Sequence, residues 1–166
     1  MITLYHCAAA RSFRVLWALE ELGLPYELKM LSFPPRVFAK EYLGLNPLGT
    51  IPFLIDGDTR MTESAAILEY LVVRHGPTPL AVGTGEPEFG AYLNWLHFGE
   101  ATLTFPQALI LRYSRFEPEE RRSPQVVVDY TRGSSAGCAR SRRRWPVATC
   151  FAPAASPLPI SPSATP

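Results

Sequence analysis

Cysteine is scarce in this chain. Cys7, Cys138 and Cys150 are the only three in 166 residues, they lie far apart, and their spacing fits no metal-ligand pattern. So odd and sparse a set excludes the disulfide scaffold of a small secreted protein. Long apolar runs are missing too: nothing approaches the ~20 consecutive apolar residues that cross a bilayer. The opening Met-Ile-Thr-Leu-Tyr-His lacks the basic and apolar regions of a signal peptide. Net charge is only +1, which leaves no electrostatic reason for a nucleic-acid or anionic-membrane partner. The one basic crowding is late, at Arg140 and Arg142 to Arg144. These absences lead us to expect a reducing, cytoplasmic setting, with no metal, no nucleic acid and no membrane.

What is present is a run of short, well-punctuated elements. Ile2 to Tyr5 suits a strand. Arg11 to Leu22 turns to helical period, with Phe13, Leu16, Trp17 and Leu19 among its apolar positions and Gly23 as a stop. Tyr26 to Leu31 reads as a second strand, with Tyr26, Leu28 and Met30 on one face. A strand, a helix and a strand within about thirty residues make a βαβ unit with parallel strands. Pro34-Pro35 opens a short helical stretch through Phe38, Tyr42 and Leu43 that ends at Gly44, and Asn46-Pro47-Leu48-Gly49 is a turn by composition. Pro52 to Ile55, Asp56-Gly57 and Thr59 to Met61 read as a hairpin. The helix after Thr62-Glu63-Ser64 carries Ala66, Ile67, Tyr70, Leu71 and Val73 as its apolar face. The order is βαβ-α-ββα.

Residues 76 to 87, rich in Gly, Pro and Thr, read as an interdomain linker. Glu88 to about Leu111 is a long helical segment that Pro106 should kink or split. Glu117 to Asp129 reads as the start of another helix. From Thr131 onward Gly, Ser, Arg, Ala and Pro dominate, and so apolar-poor a segment is expected to be disordered.

Two local features carry chemistry. The first is Gly49-Thr50-Ile51-Pro52 at the start of the third strand. A cis Ile51–Pro52 bond would turn the Ile51 main chain outward to pair with a peptide-like ligand, whereas a trans proline would be an ordinary strand start. The second is Thr62-Glu63-Ser64 at a helix N-terminus. The positive dipole end, the free N–H groups and the Ser64 hydroxyl suit a carboxylate, and Glu63 suits an ammonium; simple capping by Thr62 or Ser64 is the plainer alternative.

Taken in order, these runs resemble the N-terminal domain of bacterial cytosolic glutathione S-transferases over about residues 1 to 130. The matching residues are Arg11-Ser12-Phe13-Arg14-Val15-Leu16-Trp17, Leu19 through Tyr26, Asn46 through Pro52, Asp56-Gly57 and Thr62 through Ile67. The resemblance implies an α/β thioredoxin-like domain (1–80), a partial all-α domain (86–130) and a disordered tail (131–166). It also implies a cis proline at Pro52, pairing of Ile51 with the cysteinyl part of glutathione, and a γ-glutamyl end held by Glu63 and Ser64. Glutathione would be the co-substrate, a small electrophile the second substrate, and a homodimer the assembly.

In this family the glutathione thiol is activated near the first helix's N-terminus. Related sequences place Ser, Asn or Cys just before the Arg-Ser pair, where this chain has Ala8, Ala9 and Ala10. Ser12 and Arg11 are the expected substitutes. Cys7 is either a buried core residue or the partner in a mixed disulfide with glutathione. Trp95, Phe98, Phe105 and Tyr113 are the expected wall for the electrophile, with His97 as a polar contact.

The late change of character is also explained by a frameshift. Joining the third base of each codon to the first two of the next, the genetic code permits Ala-Trp-Phe-Leu-Gly-Arg-Leu-Arg across Thr131 to Ala139. It also permits Phe-Thr-Ala-Ala-Asp-Ile across Ala155 to Ser161, which contains the Thr-x-x-Asp of a helix capping box. The functional expectation is glutathione transfer to a small electrophile. A catalytically silent glutathione-binding module, or a glutathione-dependent isomerase or disulfide reductase, is the alternative.

Overall fold

A computed structural model describes residues 1–133 of the chain. The tail expectation for 134–166 lies outside the described residues; residues 131–133, read as part of that tail, continue a helix. The chain divides into two compact units between Ala81 and Val82.

The first unit contains β1 (Ile2–His6), α1 (Ser12–Glu21), β2 (Tyr26–Met30), α2 (Pro35–Phe38), a 3-10 turn (Lys40–Gly44), β3 (Phe53–Asp56), β4 (Thr59–Met61) and α3 (Ser64–Arg74). The four strands form one sheet in the order β2-β1-β3-β4. β1 and β2 are parallel, as the βαβ spacing requires, while β3 runs antiparallel to both β1 and β4. This is the thioredoxin-like α/β arrangement.

Alternation along the strands builds two apolar layers. Ile2, Leu4 and Leu54 point to one face, where Val15, Ala18 and Leu19 of α1 and Ile67 and Leu71 of α3 complete the main core. Phe53 points the other way and joins Ala39 and Tyr42, with Tyr5 and Ile51 packed alongside. The Tyr5 ring lies 5.3 Å from that of Tyr42 and 5.7 Å from that of Phe53.

Several local expectations shift by a residue or a face. α1 buries Val15, Ala18 and Leu19, while Phe13 and Trp17 are exposed and stack on each other. Phe13 and Trp17 share the i, i+4 face opposite the sheet, so their size alone was a poor guide to burial. α3 buries Val72 rather than Val73, which is 72% exposed. Asp56 stays in the ladder opposite Thr59, so the hairpin loop is Gly57-Asp58, with Gly57 at φ 58°. α1 ends as read: Gly23 takes φ 61° and Leu24 N–H donates to the Leu19 carbonyl at 3.1 Å, a Schellman closure.

In the second unit α4 (Phe89–His97) passes through π-helical residues Phe98–Thr104 into α5 (Phe105–Leu111) and a π turn at Arg112–Phe116. Pro106, expected to kink or split this segment, sits in the first turn of α5 and the helical run continues through it. The change is in hydrogen-bond spacing before the proline, where Thr104 Oγ1 donates to the Gly99 carbonyl at 2.7 Å. After a short 3-10 turn (Glu119–Arg121) comes α6, over 124–133. That helix starts later than the expected Glu117. Ser123 receives the Val126 N–H on its hydroxyl, and proline at 124 occupies the first helical position.

Candidate functional site

Three loops at one end of the first unit's sheet form a small cleft lined by Arg11, Thr50, Ile51, Pro52, Thr62, Glu63 and Ser64. Each loop is shaped by its own chemistry.

The loop over residues 46–50 is built on buried Asn46. Its Nδ2 donates to the Thr50 carbonyl at 3.0 Å and to the Tyr42 hydroxyl at 3.1 Å, and its Oδ1 accepts from Leu48 N–H at 3.1 Å. The Tyr42 hydroxyl donates to the same Thr50 carbonyl at 2.7 Å. Burial pushes the Tyr42 phenol's pKa up, with the Asn46 hydrogen bond opposing, so it stays a neutral donor. Gly49, at φ 60°, closes the turn; a Cβ there would lie 2.8 Å from Arg36 Cβ and 3.0 Å from Leu43 Cδ2. The Ile51–Pro52 peptide is cis. The β1–β3 ladder ends at the pair Tyr5–Phe53, so Ile51 lies beyond the last paired position.

The loop before α3 brings the other half. Glu63 is the N-cap, extended at φ −89° and ψ 117°, and no side chain caps the helix. Among the described residues no side chain accepts from the first-turn N–H groups of α3. The Glu63 carboxylate is exposed and makes no hydrogen bond or ion pair among the described residues. Ser64 is 4% exposed and accepts a hydrogen bond from Arg14 Nη1 at 3.2 Å. The plainer alternative of capping by Thr62 or Ser64 is not what the structure shows.

The loop between β1 and α1 departs from the sequence expectation. Ser12 is fully buried; its hydroxyl accepts from Cys7 N–H at 3.3 Å and faces the Cys7 carbonyl at 3.5 Å. It is absent from the cleft lining, whereas Arg11 is part of it. Ser12 lies one position further round the helix, and that rotation turns it toward β1. Cys7 is fully buried and its thiol pKa is pushed up by that burial, which disfavours the thiolate. Ala9 holds φ 55° in the left-handed region.

Of the residues expected to form the electrophile wall, Trp95 and Phe98 meet edge to face at 5.1 Å. Phe98 lines a shallow groove with Leu93, Asn94, His97, Ala101 and Thr102; Trp95 and Tyr113 do not. Tyr113 instead lies under Arg112, 5.6 Å from guanidinium carbon to ring centroid. Phe105 is 57% exposed. Among the described residues no group of three or more His, Cys, Asp or Glu is placed to hold a metal ion, and no helix is long and apolar enough to cross a membrane.

Sequence reasoning passed over Asn46 and Tyr42 as supports of the cleft, and Arg14 and Thr50 as neighbours of Glu63 and Ser64. Asn46 carried a signal, since an Asx residue before proline shapes the turn that follows. Arg14 carried none, because its reach to Ser64 exists only across packed helices.

The four-stranded sheet with a proline-led third strand and helices α1 and α3 places the first unit in the thioredoxin-like class, and comparison narrows it. A family model described as glutathione S-transferase, N-terminal domain, matches residues 10–73. Glutathione S-transferase 3 of Schizosaccharomyces pombe is 41% identical over 103 residues, covering 62% of this chain and 43% of that protein. Glutathione S-transferase 4 of Zea mays is 37% identical over 119 residues, covering 70% and 52%. Among solved structures, glutathione transferase URE2P6 from Phanerochaete chrysosporium, in complex with oxidized glutathione, is 30% identical. It covers 92% of this chain and 72% of that one, with a TM-score of 0.77. The chain belongs to the glutathione S-transferase family. It spans about half the length of the curated relatives it matches.

Proposed function

We propose that the cleft binds glutathione and that the protein transfers it, as a thiolate, to a small electrophile. The observation that carries this reading is the meeting, in one cleft, of an α3 N-terminus without a side-chain cap and a Glu63 carboxylate unpartnered among the described residues with Ile51 beyond the end of the ladder. The γ-glutamyl carboxylate would lie on the α3 N–H groups and Ser64, its ammonium on Glu63, and the cysteinyl main chain on Ile51. The Ser12 hydroxyl is taken up by Cys7, so thiolate stabilisation falls to Arg11. Each unit by which its charge lowers the glutathione thiol pKa corresponds to about 1.4 kcal/mol in favour of the nucleophile. Phe98 and its groove, its ring neighbour Trp95, and Tyr113 further along the chain remain the proposed contacts for the electrophile. In this reading the enzyme is a cytoplasmic homodimer, which sedimentation of the purified protein tests.

Ala8, Ala9 and Ala10 favour one second reading, a glutathione-binding module without turnover, because they leave no hydroxyl or thiol where relatives carry one. Calorimetric titration with glutathione, followed by assay on a chloronitrobenzene, separates the two. Binding with turnover supports the transferase, binding without turnover the silent module, and no binding removes both. Disulfide reduction through Cys7 has little support from a buried, high-pKa thiol.

We further propose that residues 131–166 are read in a shifted frame. The support is the family-like Ala-Trp-Phe-Leu-Gly-Arg-Leu-Arg and Phe-Thr-Ala-Ala-Asp-Ile that the codons permit there. Resequencing the coding DNA tests this, and an alternative frame without those residues ends the proposal.

A further inference from the structure

We infer that Arg14 is a positioning residue that makes Ser64 a dedicated hydrogen-bond donor to the ligand's α-carboxylate. This rests on the glutathione reading above and adds a residue that stands outside the cleft. Arg14 lies in the first turn of α1, half-buried, and is not among the residues lining the cleft. Its Nη1 reaches across to Ser64 Oγ, at the first position of α3, at 3.2 Å.

A serine hydroxyl has one proton to give and two lone pairs to receive with. A guanidinium can only donate, so the Arg14 bond occupies a lone pair of Ser64 and leaves the hydroxyl proton uncommitted. Among the described residues that proton is given to no acceptor. The cationic donor also polarises the O–H, which strengthens the bond it makes next. Ser64 is thereby biased against receiving an ammonium and toward giving to a carboxylate. Glu63, one residue earlier and acceptor-only when ionised, has the opposite preference. The two neighbours sort the two ends of an α-amino acid, and Arg14 sets the sense of one of them through a residue it touches from behind.

The test is a double-mutant cycle of Arg14→Met and Ser64→Ala, read by calorimetric titration of the full chain. Two ligands are used: glutathione, and its analogue with 4-aminobutyrate in place of the γ-glutamyl residue, which lacks the α-carboxylate. Arg14→Met is expected to weaken glutathione binding about tenfold, the size of one charge-assisted hydrogen bond, and to leave the analogue within about twofold. In the Ser64→Ala background the Arg14 effect on glutathione should fall to about twofold or less. Arg14→Gln, which keeps length and polarity without charge, takes the same test should the methionine variant be unstable. Equal losses for both ligands, or an undiminished Arg14 effect without Ser64, would overturn the assignment while leaving glutathione binding intact. Failure of the unaltered chain to bind glutathione would overturn both readings.

Discussion

Glu63 and Gly49 show how differently single residues serve the cleft. Glu63 is exposed and has no partner among the described residues, so replacing it should affect the proposed glutathione contact and little else. Glu63→Gln is expected to weaken glutathione about tenfold or more, by loss of one charge-assisted contact, with the melting temperature unchanged. Titration calorimetry beside a thermal melt checks both halves. Gly49 acts through the backbone alone. Gly49→Ala places a methyl 2.8 Å from Arg36 Cβ at φ 60°, so we expect a loss of at least about 1–2 kcal/mol from the left-handed conformation before any steric term. Urea unfolding measures it. Arg11 belongs at this scale also: Arg11→Met should raise the pH at half-maximal kcat/KM by about one, because a lost cation no longer favours the thiolate. An unchanged pH–rate profile would remove Arg11 from the activating role.

At the scale of elements, the loop before β3 is the part that depends most on its own hydrogen bonds. Asn46 is 2% exposed and ties Leu48 N–H, the Tyr42 hydroxyl and the Thr50 carbonyl into one network. Asn46→Ala takes a buried side chain's hydrogen bonds from Leu48 N–H, the Tyr42 hydroxyl and the Thr50 carbonyl and is expected to cost about 1–3 kcal/mol. It should weaken glutathione binding as well, since the turn that presents Ile51 loosens. Denaturant melts with and without saturating glutathione check whether the two effects travel together. The turn was legible as a turn from Asn46-Pro47-Leu48-Gly49. Its dependence on Tyr42 was not, because that hydroxyl comes from the preceding 3-10 turn and meets the network only once the loop has folded back.

Across the whole molecule, acid sensitivity follows from β1. His6 is 7% exposed and its Nδ1 has no hydrogen-bond partner among the described residues. Burial lowers its pKa below the ordinary 6.5. The unfolded chain therefore takes up a proton at a higher pH than the folded one. Stability is full above the unfolded value and falls as pH drops through 6.5 toward the folded pKa. A urea midpoint lower at about pH 5.5 than at about pH 7.5, with the difference reduced in His6→Asn, is the expected result.

The order of elements, the parallel βαβ unit, the hairpin, the Gly23 stop and the placing of Glu63-Ser64 at the start of α3 were determined by the sequence alone. Each rests on interactions within a few residues: strand alternation, helical period, a left-handed glycine, a helix end. Tertiary structure decided which side chains those elements present. Ser12, the hydroxyl residue at the start of α1, was committed to Cys7 by the packing of α1 on β1. Arg14 was brought to Ser64, fifty positions away, by the packing of α1 beside α3. Val72 rather than Val73, and Val15 rather than Phe13, entered the core because the sheet selects one narrow face of each helix. Local pattern specifies an element and its ends; the rotation of that element about its axis, and hence the chemistry it offers, is set by what it packs against.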